Sequence, residues 1–314
     1  MNRMKRRNFV AGALALAVLP VLAACGGGTT TLTAPSAAGS TAAAADSTIV
    51  IGTANFSENQ ILGYLYANVL ESAGVKATVK PNLGSREIIV PALQNGDIDL
   101  LPEYQGNLLL HFDPKATESD SDALQKALAA KLPQELTILP PSAAEDADVF
   151  TVTKETATEY GLTTLADLAK HNGKLVFGGP PEDKTRQVGL VGLKEVYGVE
   201  FKAFKSLDAS GPLVKGAMKS GDVHVGNLFS TDVDIVKNGW VVLADPKRLI
   251  PDQHIVPLIR TDKATDTVKS ALAKLNTVLT TEELTKLDSL VDNDHRDPDE
   301  VAAEWAKANG LSSG

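Results

Sequence analysis

Asn95-Gly96-Asp97-Ile98-Asp99-Leu100 returns further along the chain as Ser220-Gly221-Asp222-Val223-His224-Val225. In each run a helix-spaced stretch ends at Gly-Asp and alternating apolar residues begin, the period-two pattern of a sheet strand. An aromatic residue stands eight positions beyond each glycine, Tyr104 after Gly96 and Phe229 after Gly221. Ligands of α/β proteins bind in the loops beyond the carboxyl ends of the strands. Two such units, each with a ring past a strand end, predict two α/β lobes facing one cleft. The alternative is that the turns are commonplace and both rings belong to cores.

Outward from the first unit, Ile49-Val50-Ile51 reads as a buried strand followed by the loop Gly52-Thr53-Ala54-Asn55. Ser57 and Gln60 have capping-box spacing, and Ile61, Leu62, Leu65, Val69 and Leu70 follow at helical intervals up to Gly74. Lys76 to Lys80 is a second strand, Ser85 a cap for the next helix, and Ile98 to Leu101 a third strand. Strands alternating with helices at this spacing predict an α/β sheet. Phe150 to Thr153 is expected to cross into the second unit, where Lys174 to Phe177 forms a strand; Pro257-Leu258-Ile259 is expected to cross back. These two crossovers predict one discontinuous lobe, residues 48–149 plus 257–314, and a second lobe, residues 150–256. In the tail, Thr280 with Glu283 and Asp297 with Glu300 are capping boxes, with Pro298 at a first helical position. Val301, Trp305 and Ala308 line one face there, so Trp305 is expected to dock against a lobe.

Lys5, Arg6 and Arg7, the apolar run Phe9 to Leu22 and the small residues before Cys25 have the layout of an export signal. Leu22-Ala23-Ala24-Cys25 resembles a bacterial lipobox, which implies acylation of Cys25 and a chain tethered outside the cytoplasm, on the outer face of the cell membrane. An ordinary secretory peptide with an incidental cysteine is the alternative, and Arg6-Arg7-Asn8-Phe9-Val10 leaves a twin-arginine route open. Gly26 to Ser47 is almost all Gly, Thr, Ala, Ser and Pro and reads as a flexible leash. Cleavage before Cys25 removes Arg3, Lys5, Arg6 and Arg7, taking the formal charge from −9 to −13. Charge this negative draws neither nucleic acid nor anionic lipid.

Nothing in the sequence assembles an obvious active centre. The histidines His111, His171, His224, His254 and His295 show no metal-ligand spacing. Gly26-Gly27-Gly28 lacks the lysine and strand of a phosphate loop, and Asp292 to Asp297 lacks the glycine and terminal glutamate of a calcium loop. No cofactor, no metal and no catalytic residue is expected. A hydrolase or lyase on the same frame is a competing class, and a ligand sensor uncoupled from transport is another.

Ile51-Gly52-Thr53-Ala54-Asn55-Phe56-Ser57-Glu58, Leu83-Gly84-Ser85-Arg86-Glu87 and Pro102-Glu103-Tyr104-Gln105-Gly106 together resemble one known family, as do Val176 to Glu182 and Phe229-Ser230-Thr231-Asp232. It is the substrate-binding proteins of ATP-driven (ABC) importers for glycine betaine, choline and related osmoprotectants, and the resemblance spans nearly all of residues 48–311. It implies a type II periplasmic-binding-protein fold, a monomer that closes by hinge motion on a small solute, and handover to a permease and ATPase.

Family members hold quaternary ammonium groups in a cage of aromatic rings. The resemblance carries Tyr104 and Phe229 onto cage positions, Asp146 onto a family aspartate, and Arg186 onto an arginine that meets the ligand's carboxylate. Asp148 and Gln253 stand where cage tyrosines are usual, Ala54 replaces a lysine, and Asn107 replaces a threonine. Asn55 joins the ligand-binding set with Tyr104, Phe229, Arg186, Asp146, Asn107, Asp148 and Gln253. Two retained rings with added polar groups imply either an osmoprotectant or altered specificity for a polyol or flat phenolic ligand.

Overall fold

The computed structural model describes residues 48–312. Cys25, the expected signal and the expected leash lie outside the described residues. Ten strands fall into two five-stranded sheets. The first contains β1 (Ile49–Gly52), β2 (Ala77–Lys80), β3 (Leu100–Tyr104), β4 (Leu136–Ile138) and β10 (Ile255–Arg260); the second contains β5 (Asp148–Val152), β6 (Val176–Gly179), β7 (Ala203–Ser206), β8 (Val225–Phe229) and β9 (Val241–Val242).

The spatial orders are β2-β1-β3-β10-β4 and β7-β6-β8-β5-β9. In the first, β1 runs parallel to β2 and β3, and β10 lies antiparallel to β3. In the second, β6 runs parallel to β7 and β8, and β5 lies antiparallel to β8. The two sheets therefore repeat one topology, and the Gly-Asp repeat marks equivalent strands, β3 and β8. Each turn needs its glycine, since Gly96 and Gly221 have φ of 82° and 78°, a region that side chains with a Cβ rarely enter.

Helices cover both faces of each sheet. Helices Ser57–Ser72, Asp266–Asn276, Thr281–Asp292 and Pro298–Ala308 bury Leu62, Leu65, Leu272, Leu284 and Val301 on one face of the first sheet. Helices Arg86–Asn95, Gln105–Phe112 and Ser121–Lys131 bury Leu93, Leu108 and Leu128 on the other. Trp305 docks as expected, only 8% exposed, and its indole N–H donates to Glu283 Oε2 at 2.8 Å. Thr280 accepts from the Glu283 N–H at 3.2 Å, as a cap should. Neither Ser57 nor Asp297 forms the expected cap; helix Ser57–Ser72 starts after Phe56, and Asp297 precedes Pro298 without a side-chain cap bond.

Both crossovers differ slightly from the expected boundaries. β5 already belongs to the second sheet at Asp148, and β10 to the first at Ile255. The two crossing segments run side by side. Ser142 N–H donates to Ile255 O, Ile255 N–H to Ala144 O, and Asp146 N–H to Gln253 O, at 2.9, 3.1 and 3.2 Å. This two-stranded strap is the covalent link between the sheets, so a few backbone torsions within it suffice to open and close the cleft.

Tyr104 and Phe229 are also placed differently from the sequence reading: they end β3 and β8 and do not follow them. β3 passes straight through Pro102 because that residue faces Pro257 on β10. Two prolines opposite one another ask nothing of each other's missing N–H, so the ladder survives there.

Candidate binding cleft

A cavity of about 530 Å³ lies between the sheets. Its wall includes Asn55, Tyr104, Asn107, Asp146, Asp148, Arg186 and Phe229, seven of the eight residues named from the sequence. Gln253 is the exception. It is fully buried beneath the wall, where its amide accepts from Asn107 N–H (3.1 Å) and donates to Asn107 Oδ1 (3.0 Å). Gly106 makes this packing possible, since a Cβ there would come within 2.4 Å of Pro251 and 2.8 Å of Gln253 Nε2.

The residue that sequence reasoning missed is Phe56. Its ring centroid lies 4.9 Å from that of Phe229, tilted by 55°, and 6.1 Å from that of Tyr104, tilted by 34°. Phe56 sits in the loop after β1, half-buried with extended backbone at the helix start. Three rings from two lobes therefore meet in one corner of the cavity. Applied to β1, the rule of loops at strand carboxyl ends would have named it.

The charged groups of the wall are mostly spoken for. Arg86 forks onto Glu103, with Nε 2.9 Å from Oε1 and Nη2 2.7 Å from Oε2. Arg186 forks onto Glu87 across the cleft, at 2.9 and 2.8 Å. This changes the reading of Arg186: its guanidinium is held by a carboxylate of the opposite lobe. Burial pushes Glu87 up, but the hydrogen bonds and charge of Arg186 outweigh it and hold that carboxyl at about 2. Lys215 bridges Asp232 (2.8 Å) and Asp234 (3.1 Å). Asp208 is spent on the start of helix Pro212–Lys219, accepting from the Leu213 and Val214 N–H groups at 2.9 Å.

Two further bonds join the lobes. Asn107 Nδ2 donates to Asp148 Oδ2 at 2.7 Å, and the Thr231 hydroxyl donates to Glu58 Oε2 at 3.0 Å. Asp146 binds the loop after β8, accepting from Ser230 Oγ and Thr231 N–H at 3.0 and 3.1 Å. Among the described residues, seven carboxylates and three permanent cations line the cavity, and all three cations are paired. The uncompensated field is negative. Among the described residues, no group of three or more His, Cys, Asp or Glu is arranged to hold a metal ion.

Two α/β lobes on a paired strap, with an aromatic corner between them, define a solute receptor of the periplasmic-binding-protein type. The chain belongs to the family described as the substrate binding domain of ABC-type glycine betaine transport systems, whose model matches residues 47–308. It is thus the extracytoplasmic binding component of an ABC importer, and not an enzyme. It is 29% identical over 279 residues to the carnitine transport binding protein OpuCC of Listeria monocytogenes, covering 85% of this chain and 88% of that one. It is 26% identical over 278 residues to the glycine betaine-binding protein YehZ of Escherichia coli, covering 84% and 91%. A crystal structure of a glycine betaine/carnitine/choline ABC transporter protein matches with a TM-score of 0.64 at 28% identity, over 84% of this chain and 99% of that one.

Proposed function

We propose that the protein captures a small solute bearing a quaternary ammonium group and delivers it to the importer's permease. Phe56, Tyr104 and Phe229 would receive the methylated cation on their ring faces. A ring quadrupole attracts a cation by about 0.5–2 kcal/mol, more when water is excluded. The observation that carries this reading is the three-ring corner inside a cavity whose permanent cations, among the described residues, are already neutralised. Asn55 and Asp146 would orient the remainder of the solute, and Asn107 and Asp148 would hold each other across the closed cleft. Arg186 would hold the lobes shut, and a ligand carboxylate would have to displace Glu87 to reach it. That favours choline-like cations over carboxylated zwitterions. Gln253 would act from beneath by fixing Asn107.

A second reading is supported by the polar Asn107–Asp148 edge and a volume well above that of one trimethylammonium head. On it, the ligand is a larger flat or hydroxylated molecule stacked between the same rings. Titration calorimetry with choline, glycine betaine and a simple phenol separates the two. Choline binding that Tyr104→Ala abolishes supports the cage; phenol binding without choline binding replaces it. The tether is proposed to be a lipid on Cys25. A Cys25→Ala chain that still labels with fatty acid and stays with membranes would refute that.

A further inference from the structure

Beneath the floor of the ring corner lie two acids, Glu58 and Asp288, that do not line the cavity. Glu58, in the first turn of helix Ser57–Ser72, is 3% exposed and accepts the Tyr104 phenol on Oε1 at 2.6 Å. Its other oxygen accepts the Thr231 hydroxyl. The same hydroxyl lies 3.2 Å from Asp146 Oδ1, and one hydroxyl proton cannot serve both carboxylates fully. Asp288, from helix Thr281–Asp292, is 6% exposed and faces Glu58 and Thr231, yet neither of its oxygens has a hydrogen-bond partner.

Two buried carboxyls facing each other with no cation between them cannot both be ionised. The surrounding charges make this worse. Asp148 at the start of β5 adds negative charge beside Asp146, and Asp292, one turn beyond Asp288, adds more. Lys215, the cation that reaches Asp292, is shared between Asp232 and Asp234. Tyr104, Ser230 and Thr231 are neutral donors. Burial first, and then the charge of Asp288 on Glu58 and of Glu58 on Asp146, pushes both well above the ordinary carboxyl range, and burial does the same to Asp288.

We propose that Glu58 and Asp288 share one proton under the aromatic corner and that a cation entering the corner expels it to solvent. The proposal rests on the quaternary-ammonium reading. A cation on the Tyr104 face brings positive charge above the Glu58 carboxyl, and attraction across a water-poor interior favours the ionised form. An ionised Glu58 also accepts more strongly from Thr231, which belongs to the opposite lobe. Loss of the proton therefore strengthens ligand capture and lobe closure together. Neutral solutes lack the charge that drives the release, so the cluster discriminates by charge without touching the ligand.

The test uses choline as the probe and the complete folded protein. Calorimetric titrations between about pH 6 and about pH 8, in buffers with different heats of ionisation, are expected to show about one proton released per choline bound. Affinity should then rise by up to about tenfold per pH unit within the window where the pair titrates. At neutral pH the infrared carbonyl band of protonated buried carboxyls in the ligand-free protein, to which Asp183 also contributes, should be stronger than in Asp288→Asn and should weaken when choline binds. That variant should bind choline with no proton release and a flat pH profile. Choline binding with no proton release in the unaltered protein, or a protonated-carboxyl band as strong in Asp288→Asn as in the wild type, overturns the proposal alone. No choline heat at any pH refutes the cation cage and the coupling with it.

Discussion

Replacing Phe56 by alanine is the sharpest test of the aromatic corner, because its ring is the one that links the two lobes' aromatics. The ring stands 4.9 Å from Phe229 and 6.1 Å from Tyr104, both inside the range where aromatic rings attract one another. Its removal deletes one cation–ring contact, about 0.5–2 kcal/mol, and the contact that orients Phe229, about 0.5–1.5 kcal/mol. Together these amount to about 1–3.5 kcal/mol, or about 5- to 300-fold weaker binding of a quaternary ammonium probe. Phe56 is half-buried at a helix start and caps nothing with its side chain, so the melting temperature should fall little. Choline titration of wild type, Phe56→Ala and Phe56→Leu supplies the readout, with Phe56→Leu restoring apolar bulk but no ring face. The expected order of affinity is wild type, then leucine, then alanine. Leucine equal to wild type would show that bulk and not the ring holds the cation. An alanine variant within about twofold of wild type would remove Phe56 from the site.

Glu87→Gln should speed ligand release in stopped-flow dissociation, since it unclasps Arg186 across the cleft. In the wild type the same loss should appear on acidification: a carboxyl held at about 2 contributes stability above its ordinary value of 4.5 and gives it up as pH falls toward 2. A release rate unchanged by the substitution would refute the clasp. Asp183 is pushed up to about 8, by burial first and then by the charge of Asp148. Below 3.8 both folded and unfolded chains keep its proton, so stability should fall as pH rises from there to about 8. Asp183→Asn should therefore melt above wild type at neutral pH, with the gap closing in acid; a constant gap would refute this. The Tyr66 hydroxyl is buried with no partner, and Tyr66→Phe should raise stability by about 1–3 kcal/mol in urea titrations, whereas a loss would mean the hydroxyl is satisfied.

The two-lobed plan was legible because its signals are local. A glycine at positive φ, an aspartate and a switch to period-two hydrophobicity all lie within a few residues of each other, and they occur twice. Strand ends were less legible because they depend on partners far away in sequence. Pro102 reads as a strand breaker until Pro257 is placed opposite it. Phe229 belongs to β8 only because Asp148 pairs with it from the other crossing. Ser57 has the composition of a cap, but Phe56 takes the cap position and Ser57 becomes the first helical residue. The acids under the rings were least legible of all. Glu58 looks like a favourable first-turn acid, the ordinary reading at a helix start. Only the fold reveals Asp288 beside it, with Asp146 and Thr231 closing the group.

Arg186 shows what matching a site position by position leaves out in a receptor of this kind. A polar residue on a cleft wall that reaches the facing side has two possible partners, the solute and the opposite lobe. Here Arg186 takes Glu87, Asn107 takes Asp148, and Glu58 takes Thr231, each across the cleft. A solute that competes for one of these groups must break a bond that closure makes, so it loses part of what it gains. A solute recognised by ring faces competes for none of them. The aromatic corner and the interlobe bonds are therefore compatible demands, which is the physical reason for assigning the rings to the ligand and the ion pairs to closure.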